Sequence, residues 1–342
     1  MNEPLRPSTL GEILDRTALL FRRNFWLFVG VAAVPIGAIF AVSVPLGALL
    51  GVYGATVFRG GAPNKVVLVL AVAAILLVVI PVSVVASVLS QAAVARVAIA
   101  ANMGLKLKLR AAFKSVWPRF WRYLGLMVLQ GVFAGVIPGA IAAAVVVALT
   151  LLARWAGGGA AGTVALGFAL FFVFVATIVV VILRALSYSM ALPACIVEEK
   201  SAWVSLQRSV KLSKGTRGRI FVMFLLVYAL AIIVTVIGYI PTTILVAIAT
   251  TVGHGARYAV FMVVFAEIVN VLVSFALQTI ITPVYMIALV LFYYDQRIRT
   301  EGFDIEWMME QAGLTGAGPL PPLLEGTLSS EQPGSPDTVK EL

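Results

Sequence analysis

A chain of 342 residues that is 61% apolar and 12% charged, with a mean hydropathy of +1.05, has too little polar surface to cover a water-soluble globule. Its formal net charge of +10 would suggest nucleic acid in a soluble protein, but here the cations gather at the ends of apolar stretches, so topology accounts for them and no nucleic-acid partner is expected. A single cysteine, Cys195, excludes an intrachain disulfide, a cysteine cluster and an iron–sulfur site, and reads as a packed side chain.

From the N-terminus, Thr9 and Glu12 have the spacing of a capping box. After them Leu10, Ile13, Leu14, Thr17, Leu20 and Phe21 share one helical face. Glu3, Glu12 and Asp15 precede a long apolar run, which argues against a cleavable signal peptide and for a first span retained as an anchor.

Six apolar stretches follow, at about 25–57, 66–100, 123–153, 161–193, 219–250 and 258–294, each longer than the ~20 residues needed to cross ~30 Å of hydrocarbon. The expected architecture is therefore all-α, a polytopic bundle of six transmembrane helices. Pro35, Pro45, Pro81, Pro138, Pro241 and Pro283 fall inside these stretches and mark expected kinks, and Pro193 is expected to close the fourth.

Orientation follows from the cations. Twenty of the 25 Lys and Arg residues lie in the N-terminal segment, the second and fourth connections and the C-terminal segment, and those four regions are expected in the cytoplasm. Trp26, Trp117, Trp121, Trp203 and Trp307 lie at the same ends, with Trp155 alone opposite. Both termini are thus expected on the cytoplasmic side of a plasma membrane, with only short loops outside.

A repeat of about 95 to 100 residues runs through this pattern. Arg22-Arg23-Asn24-Phe25-Trp26 recurs loosely as Arg119-Phe120-Trp121-Arg122-Tyr123 and as Arg217-Gly218-Arg219-Ile220-Phe221, each opening an odd-numbered span. Each is preceded by a short amphipathic segment: the one above, a second with Leu105, Leu109, Ala112, Phe113 and Val116 as its stripe, and a weaker third with Trp203, Leu206 and Val210.

Three units are expected, at about 8–100, 104–193 and 201–294, each an interfacial helix followed by two spans. An interfacial segment at 295–312 and a Pro- and Gly-rich disordered tail at 313–342 follow. Arg22, Arg23, Lys106, Lys108, Arg110, Lys114, Arg119, Arg208, Lys211, Lys214, Arg217 and Arg219 are the candidate lipid-headgroup contacts, each worth ~1 kcal/mol near an anionic surface. Bracing of the bundle is an equally open role for the same helices.

Few residues offer catalytic chemistry. His254, the single histidine, sits beside two glycines in a short loop, and Gly157-Gly158-Gly159 lacks the lysine of a phosphate loop, so neither a metal, a cofactor nor an enzymatic activity is expected. Glu267 is the one acidic residue within a span. With Asn270, Ser274 and Gln278 it forms a stripe on one helical face, expected to point into the bundle because a charge near the bilayer centre costs ~2.5 to 3.5 kcal/mol. Arg184, the one cation within a span, is its candidate partner, although roughly 10 Å deeper by helical rise. The stripe is either a buried network between helices or a polar path.

Three segments resemble a bacterial family of six-span membrane proteins that includes the membrane domain attached to some glycerophosphoryl diester phosphodiesterases. They are Arg6-Pro7 followed by Leu10-Gly11-Glu12-Ile13-Leu14-Asp15-Arg16 and Arg22-Arg23-Asn24-Phe25, then Arg208-Ser209-Val210-Lys211-Leu212-Ser213-Lys214-Gly215, and the closing Tyr294-Asp295-Gln296-Arg297-Ile298-Arg299-Thr300-Glu301-Gly302-Phe303-Asp304-Ile305-Glu306. The resemblance spans about residues 5–312 and implies a bacterial plasma-membrane protein, without the soluble phosphodiesterase barrel. The resulting expectation is a non-enzymatic accessory or scaffold at the cytoplasmic lipid interface, with membrane lipids, anionic ones above all, as partners. The competing expectation is a transporter or lipid translocase using the Glu267 stripe.

Overall fold

A computed structural model of the chain describes residues 8–58, 65–105, 107–157, 159–252 and 256–302. Among them there is no strand, and six helical stretches are long and apolar enough to cross a membrane: Phe25–Ala48, Val66–Asn102, Leu109–Trp155, Gly162–Val197, Arg217–Ile244 and Phe265–Glu301. The chain is an all-α polytopic bundle.

Helix α1 (Leu10–Arg23) starts at the expected capping box, with Thr9 N–H donating to Glu12 Oε2 at 2.8 Å and Glu12 N–H to Thr9 Oγ1 at 3.3 Å. Ile13 and Thr17 are the buried residues of its apolar face, and Asn24 separates it from α2 (Phe25–Phe58). Thr9→Ala is expected to destabilise this start by about 1 kcal/mol. Faster amide exchange at Leu10 to Ile13, with the spans unchanged, is the readout.

Helix α3 (Lys65–Asn102) ends at Gly104, whose φ of +78° lets the Leu105 N–H reach the Ala100 carbonyl at 2.9 Å. Leu105 therefore belongs to this cap and not to the second amphipathic helix, which begins only at α4 (Leu109–Val116), with Ala112 and Val116 buried. A 3₁₀ turn, Trp117–Arg119, leads into α5 (Phe120–Gly131), then a π turn at Val132–Val136 and α6 (Ile137–Trp155). Pro138 stands two residues past the π turn; the wider turn makes room for a ring that would otherwise press on the Ala134 carbonyl.

Helix α7 (Ala160–Tyr188) stops five residues before Pro193. That proline sits instead in the first turn of α8 (Ala191–Val197), where a missing N–H leaves no hydrogen bond unmade. Helix α9 (Ala202–Ser213) precedes α10 (Arg217–Val252), and α11 (Ala256–Glu301) closes the described chain. Pro35, Pro45, Pro81, Pro241 and Pro283 lie within α2, α3, α10 and α11 without ending them. Residues from Asp295 to Glu301 continue α11 unbroken; the rest of the expected interfacial segment and the tail, 303–342, lie outside the described residues.

Within residues 8–294, burial concentrates at the end where the basic segments lie. Phe28, Val31 and Ile36 of α2, Val88 to Ala100 of α3, Met190 to Ile196 around α8, Ile220 and Met223 of α10, and Met286 to Tyr294 of α11 are inside. Toward the opposite end large apolar side chains stay exposed, among them Val66 to Leu70, Leu151, Leu152 and the α7 phenylalanines up to Phe172 at 67%. Such a surface suits lipid as solvent. Helix α11 packs on α2 through Phe275 and Phe40, edge to face at 5.7 Å, and on α10 through stacked Tyr285 and Phe224 at 5.4 Å.

Candidate functional site at the basic end of the bundle

The polar centre of the unit is the four-residue turn between α8 and α9, Glu198 to Ser201. Glu198 accepts hydrogen bonds from Lys200 Nζ at 2.7 Å, Arg208 Nε at 2.8 Å and Tyr293 Oη at 2.9 Å, which ties the turn to α9 and α11. Burial pushes its carboxyl up, and the bonds from Lys200, Arg208 and Tyr293 more than reverse this, holding it below the ordinary value of 4.5.

Glu199 adopts a left-handed backbone, φ +52°, unusual for a residue with a side chain. Two arginines hold it there: Arg119 pairs with its carboxylate, and Arg122 Nη1 donates to its carbonyl at 2.8 Å. The Cys195 thiol donates to the Lys200 carbonyl at 3.6 Å and is buried. Beside the turn, Arg96 of α3 is 7% exposed and donates from Nη2 to Tyr123 Oη of α5 at 3.0 Å.

The candidate headgroup residues divide into two groups. Arg22 and Arg23 of α1, Lys108, Arg110 and Lys114 around α4, and Lys211, Lys214 and Arg217 around the end of α9 are exposed. Trp26, Trp117, Trp121 and Trp203 are exposed beside them. Arg119 and Arg208 instead spend their charge on Glu199 and Glu198, and Arg219 Nη2 donates to the Ser8 carbonyl at 3.2 Å, joining α10 to the start of α1. Lys106 and His254 lie outside the described residues.

Helix α9 also departs from its expected face. Ser205, Leu206, Ser209, Leu212 and Ser213 are its buried residues, while Trp203 is 48% exposed. Ser209 Oγ donates to the Ser187 carbonyl at 2.8 Å and Ser213 Oγ to the same atom at 3.5 Å. Ser187 stands in the last turn of α7, whose carbonyls have no helical partner, so α9 caps α7 with hydroxyls on a face flat enough to come close.

The α11 stripe does not point inward as a whole. Asn270 and Ser274 are half-buried, and Ser274 Oγ meets Tyr239 Oη of α10 at 2.7 Å, near Gly238, where a Cβ would stand 2.9 Å from a Leu277 methyl. Glu267 and Gln278 are exposed, because the stripe runs along the edge of the packed face, beside exposed Ile268 and Leu272. Arg184 is exposed too and donates to Tyr188 Oη on its own helix at 3.1 Å. It reaches one turn toward the basic end, the direction in which a long cationic side chain leaves hydrocarbon. The stripe thus joins two helices at Ser274.

In the last turns of α11, Arg299 Nε pairs with Asp295 Oδ2 at 2.9 Å and Arg297 Nε with Glu301 Oε2 at 3.3 Å, both at i,i+4 spacing. Sequence reasoning passed over Glu198 and Glu199, and the available signal was their position: two adjacent carboxylates at the end of a span, next to a run of cations. Among the described residues no group of three or more His, Cys, Asp or Glu side chains is placed to hold a metal ion. No protein-family model, curated protein or solved structure matches the chain.

Proposed function

We propose that the chain is a non-enzymatic accessory or scaffold protein of the bacterial plasma membrane, with its basic end in the cytoplasmic leaflet and its termini in the cytoplasm. The carrying observation is the combination of exposed cations on and around α1, α4 and α9 with exposed tryptophans beside them, Trp26 at the start of α2, Trp117 and Trp121 after α4, and Trp203 on α9, while Arg119, Arg208 and Arg219 behind them pair internally. Cations at that depth meet anionic headgroups and indole rings settle at the carbonyl level, so both favour one leaflet. The internal pairing of Arg119, Arg208 and Arg219 supports a rigid platform behind that surface.

In nanodiscs, replacing zwitterionic with anionic lipid is expected to slow amide exchange in α1 and α4. Neutralising Lys108, Arg110 and Lys114 to Gln should remove about 1 kcal/mol of that protection per residue in α4 and leave α1 protected. Exchange indifferent to lipid charge would refute the surface role. Cysteine labelling that places Lys211 on the outer face would refute the orientation.

A further inference from the structure

The guanidinium of Arg96 is buried with no counter-charge paired to it among the described residues. Its one hydrogen bond among the described residues goes to the neutral Tyr123 hydroxyl, and its Nε has no acceptor there. Tyr123, 1% exposed, is the acceptor in that bond, so its own O–H proton remains available to a further oxygen. Arg119 and Arg122 stand four residues and one residue before Tyr123, and all three arginines lie within electrostatic range of the Cys195 thiol. Among the described residues, three positive charges therefore share one neighbourhood with one carboxylate paired to them, Glu199; Glu198 is already engaged by Lys200, Arg208 and Tyr293.

Arg96 is buried and Arg119 and Arg122 are half-buried beside it; a buried cation calls for an anion, and guanidinium forks with a hydroxyl donor match tetrahedral phosphate oxygens. We propose that Arg96, Tyr123 and Arg122 form a binding site for a phosphate monoester dianion, wedged between α3 and α5 at the basic end. Arg96 supplies its free Nε–H, Tyr123 its O–H, and Arg122 the part of its fork not used on the Glu199 carbonyl. Phosphatidic acid-type headgroups and soluble phosphate carry the same group. The site deepens the lipid-interface reading without depending on the exposed cations, because it is made of side chains behind them.

The test uses the full chain in neutral detergent, where no bilayer surface exists. Thermal unfolding is followed with short-chain phosphatidic acid, with inorganic phosphate, and with phosphatidylcholine at matched ionic strength. Phosphatidic acid, phosphate or both are expected to raise the unfolding temperature saturably, and phosphatidylcholine is not. Arg96→Gln and Tyr123→Phe should each weaken the apparent affinity at least about tenfold, the loss of one charge-assisted or hydroxyl contact. Arg154→Gln, which removes a cation at the opposite end, should change nothing.

Response to phosphatidic acid alone identifies a headgroup, and response to both identifies a site open to soluble phosphate. No saturable shift with either dianion, or a shift that survives Tyr123→Phe, overturns the proposal even if Arg96→Gln fails to fold. Because vesicle charge plays no part here, failure leaves the nanodisc result standing, and the reverse also holds.

Discussion

Glu198→Ala is expected to destabilise the folded bundle by about 3 to 5 kcal/mol, the range for removing one partner from a buried ion pair. The side chain is 9% exposed and gathers three donors from two neighbouring helices and its own turn. Without it Arg208 keeps a charge at 22% exposure with its carboxylate gone, and the Tyr293 hydroxyl loses its acceptor. Lys200, at 47% exposure, returns to solvent at little cost. Reversible unfolding in mixed micelles measures the loss, and a change below about 1 kcal/mol would show that the turn is not the tie described.

The pH dependence has a defined sign. The folded carboxyl lies below its ordinary 4.5, so in acid the unfolded chain binds the extra proton. The contribution of Glu198 is complete above pH 4.5 and drains away as pH falls through the folded value. Glu198→Gln should show a shallower acid limb than the parent.

Ser209→Leu should be nearly as damaging, about 3 kcal/mol, for a different reason. The position is fully buried against α7, so added methylenes force overpacking worth about 1 to 3 kcal/mol, and the hydroxyl bond to Ser187 adds about 1. Ser209→Ala isolates the second component and should remove about 1 kcal/mol only, with Ser213 still reaching the same carbonyl. Gln207→Leu, on the exposed side of α9, serves as the control and should leave unfolding in place.

The six spans, the order of short amphipathic helix and long apolar helix, and the Thr9 cap were legible in sequence because each rests on local spacing. The pairing at the basic end was not. Arg119 finds Glu199 eighty residues on, and Tyr293 finds Glu198 from ninety-five residues away, so no window of sequence contains both partners. Helix α9 misled for a related reason: hydropathy counts Ser205, Ser209 and Ser213 as polar, whereas their i, i+4, i+8 spacing marks a close-packing seam. For the stripe on α11, periodicity alone does not say where that face meets its neighbours: Asn270 and Ser274 are half-buried and Glu267 is exposed.

Because buried side chains gather mainly where the arginines are, the described remote parts of the helices leave large apolar side chains facing outward. Each can lean about its fixed base, so thinner or thicker hydrocarbon is accommodated by tilt with the basic-end platform undisturbed. Deuterium uptake rising steadily from the clamped ends outward, and steeper in a short-chain bilayer, is what such hinged struts produce.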